Sequence, residues 1–241
     1  MPWSVGVDEA GRGPVIGPLV IGICAVPQDG LDQLKEQGVR DSKDLSAVKR
    51  KTLEAWFFDR VRDEGWFGAT VVLDAEAVDL ALQGEGLNLL EVTGFRNALS
   101  LLPQNRNYDI IVDACDVDAQ RFGQRITSGL RDWPWDKSSL TSMHKADAQH
   151  LVVGMASILA KEERDRLIRA IQQRVGVPIG SGYPSDPTTR QALPVLCPQS
   201  GPDPDVRWGW ATVRTFWQQH RQGDVPVRGQ PRSVQRTLFH G

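Results

Sequence analysis

The chain has 241 residues, with 28 Lys and Arg against 30 Asp and Glu and a formal net charge of −2. That balance excludes a histone-like basic coat for nucleic acid but not an enzyme with a locally basic surface. Three widely spaced cysteines, Cys24, Cys115 and Cys197, include no CxxC pair, which excludes a zinc ribbon or disulfide framework, and the early apolar run is too short for a bilayer. A cytoplasmic protein without a membrane segment is expected. The charge is uneven: residues 206–241 hold six arginines and one acid, a local excess of +5 that leaves −7 on the rest.

In chain order, Val5 and Val7 alternate in a short strand at 4–8, and the apolar run 15–26 reads as a second strand. The short connection between them makes the pair antiparallel. Leu45, Val48, Leu53, Trp56, Phe57 and Val61 recur at helical spacing, with Asp44 or Ser46 placed to cap that helix. Residues 66–73 read as a third strand, and 75–82 and 87–102 as helices, the latter stopped by Pro103. Residues 108–114 form a fourth strand, apolar on both faces and placed centrally, and Ser139–Met143 a fifth.

A long helical stretch, one helix or two, spans 146–175. Gly- and Pro-rich loops follow, then a helix at 210–221. Within the long stretch, 161–169 carries four bases and three acids and reads as a solvated, salt-laced face. This order predicts an α/β fold, a mixed five-stranded sheet flanked by helices with a C-terminal helical extension. The expected division is a catalytic domain at 1–175, a substrate-contacting loop and helical region at 176–222, and a flexible basic tail at 223–241.

Four acids stand where acids are costly. Asp8 and Glu9 end the first strand, Asp113 ends the fourth, and Asp147 opens an apolar helix. If the first and fourth strands are neighbours, about 4.8 Å apart, Asp8 and Asp113 face one another. Clustered carboxylates repel unless a hard divalent cation sits between them. Taken singly, Asp147 fits a helix cap and Asp113 a surface turn equally well. The segment DEAGRGPVIGP at 8–18 has Ile16 where a dinucleotide fingerprint needs glycine, and it lacks the Lys-Ser/Thr of a P-loop. Gly11, Arg12 and Gly13 fit either a hairpin turn or a backbone surface that a ligand can approach closely.

DEAGRGP at 8–14, DSK at 41–43, IIVDACD at 110–116, HKAD at 144–147, ASILAKEERD at 156–165, GSGYPSDPTT at 180–189 and WGWAT at 208–212 stand in order. Together they resemble the blocks of type 2 ribonucleases H, ribonuclease HII, over residues 5 to 217. The resemblance implies a ribonuclease H-like fold and an endonuclease that cuts the RNA strand of RNA–DNA hybrids and single ribonucleotides in duplex DNA, leaving 5′-phosphate and 3′-hydroxyl ends. It assigns catalysis and binding of one or two Mg2+ or Mn2+ ions to Asp8, Glu9, Asp113 and Asp147. It assigns 2′-hydroxyl recognition to Gly11, Arg12, Gly13 and Tyr183, and phosphate contact to Lys43; the 2′-hydroxyl is what separates RNA from DNA locally.

The related ribonuclease HIII carries an additional N-terminal domain and usually a final Glu. The early first strand and Asp147 favour HII. At the C-terminus Gln235, Leu238 and Phe239 resemble a shortened sliding-clamp-binding peptide. A monomer is expected. Two other classes compete: a resolvase or transposase of the same fold, which would need no 2′-hydroxyl, and a non-catalytic nucleic-acid adaptor.

Overall fold

The computed structural model describes residues 2–133 and 135–229, together with the backbone of a strand at Gln235–Phe239. In chain order the elements are β1 (Trp3–Ala10), β2 (Leu19–Val26), α1 (Gly30–Glu36), α2 (Ala47–Glu64), β3 (Phe67–Leu73), α3 (Ala75–Gln83), α4 (Leu87–Leu99) and β4 (Tyr108–Asp113). They continue with α5 (Ala119–Ser128), β5 (Ser139–Met143), α6 (Ala146–Gln149), α7 (Leu151–Val175), α8 (Pro187–Leu196), α9 (Ala211–His220) and β6 (Gln235–Phe239).

The strands lie in the order β5-β4-β1-β2-β3-β6. β1 and β2 form the expected antiparallel hairpin, and β1–β4 and β4–β5 are parallel. The mixed sheet expected from the strand pattern is present. β4 lies second from one edge, while β1 and β2 occupy the centre, and every residue of β2 is buried. The register pairs Val7 with Val112, which brings the next residues, Asp8 and Asp113, to the same end of the sheet.

Alternation along β1 sends Val5 and Val7 to one face, where they pack with Ile21 and Ile23 of β2, Phe95 of α4 and Phe122 of α5. The opposite face receives α7. A Cβ at Gly6 would run into the backbone at Val152, and one at Gly22 into the backbone at Ala156. Only glycine at these two positions lets α7 lie across the central strands. Met155, Ile158 and Leu159 of α7 then meet Leu53 and Phe57 of α2. Full burial of each such side chain contributes about 1.5–3 kcal/mol.

A third apolar cluster joins residues on either side of the site. Val15 and Ile16, after β1, pack with Ile168 and Ile171 of α7, Ile179, Leu193 of α8, and Val213 and Trp217 of α9. The second strand therefore starts at Leu19 rather than at 15. Pro18 has no N–H to offer a ladder, and Ile16 instead forms a bridge with Val206.

Other differences from the sequence reading have local causes. The Gly- and Pro-rich stretch after 175 contains α8, whose start carries Pro187 at its first position and Asp186 accepting from the Thr188 N–H at 2.9 Å. The run 161–169 is not a solvated face: Glu162, Glu163 and Arg164 are buried. Arg50 of α2 donates to Glu162 at 2.8 Å and to Asp165 at 3.1 Å, while Arg166 bridges Glu54 and Glu163. The helix packs on both sides, and its acids and bases satisfy each other across α2.

Residues 235–239 pair antiparallel with β3 and add a sixth strand, because an edge strand offers free backbone groups to any extended segment. Gln235, Leu238 and Phe239 belong to this strand, and their side chains lie outside the described residues. Among the described residues, no helix is long and apolar enough to cross a membrane. Cys24, Cys115 and Cys197 are free thiols.

Candidate active site

The C-terminal ends of β1 and β4 open into a cleft of about 240 Å3. All nine residues singled out in the sequence line it: Asp8, Glu9, Asp113 and Asp147; Gly11, Arg12 and Gly13; Lys43; and Tyr183. Ala10, Ser42, Ser157, Lys161 and Arg164 complete its wall.

The four acids divide into two groups. Asp8, Asp113 and Asp147 can each place an oxygen within 4.8 Å of the others. Glu9, the next residue on β1, points to the other face of the sheet and groups with Glu91 of α4 and Cys115. The Cys115 thiol donates to Glu9 at 3.1 Å, and Arg12 donates to Glu91 and, at 2.8 Å, to Asn88. The sequence reading missed both partners; Glu91 sits inside a helical apolar pattern and carried no signal.

The electrostatics follow from burial without a matching positive charge. Burial and the charges of Glu9 and Asp113 hold Asp8 well above the usual carboxylate range, although a hydrogen bond from Ser157 opposes them. Ser157 is in turn 3.0 Å from Ser42, so α7 and the turn before α2 both fix the Asp8 carboxyl. Burial pushes Asp113 up to about 6, with repulsion from Asp147 and Glu9 adding to it. An N–H from Ala146 at 3.2 Å works the other way. The chain reaches that position through Lys145, which has φ +56°, a left-handed conformation uncommon for a side-chain-bearing residue. This local strain points Asp147 and the Ala146 amide toward Asp113.

Among the described residues, the one cation paired with the three acids is Lys43, largely exposed, with Nζ 3.2 Å from Asp147 Oδ2. Three carboxylates, with Asp8 and Asp147 buried, the pKa of Asp8 and Asp113 raised, and one salt bridge among them, suit a hard divalent cation with oxygen ligands. Opposite the acids, the Tyr183 ring packs beside Gly13, which leaves room for a Cβ only at van der Waals distance from the ring. The Arg164 guanidinium lies 5.4 Å from the centre of that ring. The same side chain donates to the carbonyls of Ile16 at 3.3 Å and Ser181 at 3.1 Å, tying the Tyr183 loop to the segment after β1. Gly11 has φ +92°, and any Cβ there would strike Arg164.

A family profile for ribonuclease HII matches residues 5–213. The chain belongs to the ribonuclease HII family. It is 38% identical over 226 residues to the ribonuclease HII of Pyrococcus horikoshii, covering 92% of this chain and 96% of that protein. It is 40% identical to that of Pyrococcus furiosus over 87% of this chain and 88% of the relative.

Among solved structures, the ribonuclease H2 of P. horikoshii superposes with a TM-score of 0.76 at 37% identity, covering 90% of this chain and 98% of its own. A ribonuclease HII solved as a PCNA complex from Archaeoglobus fulgidus gives 0.73 at 30% identity, covering 86% and 95%. A ribonuclease HIII in complex with Mn2+ gives 0.72 at 18% identity, covering 90% of this chain and 70% of its own, and shares the fold. Membership makes the chain a nuclease hydrolase, an endoribonuclease acting on RNA–DNA hybrids.

Proposed function

We propose that this cleft also cuts at single ribonucleotides embedded in duplex DNA, breaking the P–O3′ bond on the DNA side to leave 5′-phosphate and 3′-hydroxyl ends. The observation that carries the reading is the meeting, in one cleft, of a carboxylate cluster suited to a divalent ion and a glycine-lined backbone beside a tyrosine.

Asp8, Asp113 and Asp147 would hold one or two Mg2+ or Mn2+ ions, and Glu9, one residue along β1, would join them by rotating toward the cleft. Bound there, such ions supply Lewis acidity and a water of lowered pKa. The chain's own residues do the rest. Asp113 gives up its proton above a pH of about 6. Lys43, at the rim, meets a phosphate oxygen. Gly11, Arg12 and Gly13 let a sugar approach the backbone, and Tyr183 stacks against it, so the 2′-hydroxyl is read locally.

The test is a duplex with one embedded ribonucleotide against an all-DNA duplex, with and without magnesium. Cleavage confined to the ribonucleotide and to magnesium supports the reading. Equal cutting of the all-DNA duplex points to a resolvase-like enzyme, and no cutting of either to an adaptor.

The tail residues Gln235, Leu238 and Phe239 are proposed to dock on a sliding clamp, a reading supported by the A. fulgidus relative solved with PCNA. A clamp pull-down that retains the chain equally with and without residues 230–241 rejects it.

A further inference from the structure

Arg207 is wholly buried, yet among the described residues it makes no salt bridge. Its Nε donates to the Gly17 carbonyl at 3.0 Å, one terminal nitrogen to the Arg12 carbonyl at 2.9 Å, and the other to the Gly11 carbonyl at 2.5 Å. Three residues on, the Trp210 Nε1–H donates to the Gly13 carbonyl at 3.1 Å. All three carbonyls of the Gly11-Arg12-Gly13 turn are therefore held by one short segment some 200 residues away in sequence. That segment is itself anchored. Asp79 of α3, buried, accepts from the amides of Trp208 at 2.8 Å and Gly209 at 2.9 Å.

The consequence follows from the planarity of the peptide unit. In a trans peptide the C=O and the following N–H point in opposite directions. Pinning the Gly11 and Arg12 carbonyls toward Arg207 turns the Arg12 and Gly13 N–H groups the other way. The cleft lies on that side: Gly11, Arg12 and Gly13 line it, while Arg207 does not. Among the described residues, neither N–H has a protein acceptor. Two successive outward amides form a concavity that accepts an anionic or hydroxyl oxygen. A buried guanidinium is costly unless its donors are satisfied. Here three carbonyls satisfy it, and its rigid fork explains why the residue is Arg and not Lys.

We propose that Arg207 and Trp210 are positioning residues for ribonucleotide recognition: they mould the Gly11–Gly13 backbone so that its two free amides face the sugar–phosphate at the cut site. The inference rests on the reading that this backbone recognises a ribonucleotide. It assigns the discrimination to residues that never touch substrate.

The experiment compares Arg207→Lys and Trp210→Phe with the unaltered protein. Dissociation constants are measured by fluorescence anisotropy in calcium for a duplex with one ribonucleotide and for the same duplex in DNA alone. Melting temperatures are recorded beside them. The readout is the constant for the all-DNA duplex divided by that for the ribonucleotide duplex; general damage to the fold raises both alike and leaves this ratio unchanged.

Loss of one fork contact and distortion of a second predicts a fall in the ratio of about tenfold for Arg207→Lys. Trp210 is partly exposed, and Phe keeps an aromatic ring in place of the indole while deleting the one donor, so Trp210→Phe predicts a fall of about two- to fivefold with little change in melting temperature. A selective unaltered protein whose Trp210→Phe variant keeps full selectivity overturns the inference, even if Arg207→Lys fails to fold. An unaltered protein that binds both duplexes equally overturns the ribonucleotide reading itself, and this inference with it.

Discussion

Two groups of buried charge touch α7, and they are built on opposite rules. Toward its middle, Glu162 and Asp165 meet the Arg50 guanidinium, and Glu54 and Glu163 meet Arg166, so negative charge is matched by positive. Toward its start, Asp8, Asp113 and Asp147 crowd together with one exposed lysine between them and the solvent. The first group clamps α2 to α7. In the second, burial and mutual repulsion raise the pKa of Asp8 and Asp113, a cost that the fold elsewhere has to offset. Matched charges mark architecture here, and unmatched ones mark chemistry.

The largest test of that contrast is Asp113→Asn. Removing one of the carboxylates proposed to hold the metal should cost several kcal/mol of barrier lowering, on the order of a thousandfold in hybrid cleavage. The same change removes repulsion. In a chelator, where no cation offsets the charge, it should raise the melting temperature by roughly 2–4 °C at pH 7.5. A variant that loses activity and stability together would place Asp113 with the matched group.

Much of this was legible beforehand, and the limits are physical. Asp8 and Asp113 at the ends of strands with apolar neighbours would meet only if those strands were adjacent, and the parallel β1–β4 register makes them so. Glu91 was invisible, since a buried acid on the apolar side of a helix leaves no periodic signature. The 161–169 run was misread because alternating charges look the same whether water or α2 receives them. Trp210 stands inside the block at 208–212 and Arg207 just before it, but hydrogen bonds across nearly 200 residues cannot be read from spacing. The strand at 235–239 depends on a free edge at β3, a property of the sheet and not of the segment.

Proton competition gives the next test. Asp113 titrates at about 6 in the folded chain against an ordinary value of 3.8. The folded state therefore binds more protons than the unfolded one between these values, and metal-free stability should fall as pH rises from about 4 to 6. Cleavage should move the other way, rising as pH passes through about 6 and the carboxylate becomes free to take a cation. Urea titrations in chelator and initial rates in magnesium across pH 4.5–8 measure both, and parallel curves would break the link between the repulsion and the site.

The matched group predicts a stability effect alone. Arg50→Met leaves Glu162 buried without its guanidinium and should cost about 3 kcal/mol in urea unfolding. The rate per folded molecule should hold, because Asp8 is fixed by Ser157 and Ser42 and not by this network. A fall in kcat as large as the loss for Asp113→Asn would mean that the two groups act as one.

Lys43 stands between the groups, and its variant should show the smallest effect. Its ammonium is 3.2 Å from Asp147 but largely in water, so the pair is screened and contributes little to folding. Lys43→Ala should leave the melting temperature unchanged. At the rim of the cleft the same ammonium is free to meet a phosphate, and its loss should raise KM by about two- to fivefold at low salt, with the difference shrinking as salt is added. A salt-independent fall in kcat instead would show that Lys43 works through Asp147, completing the acidic group as its one matched charge.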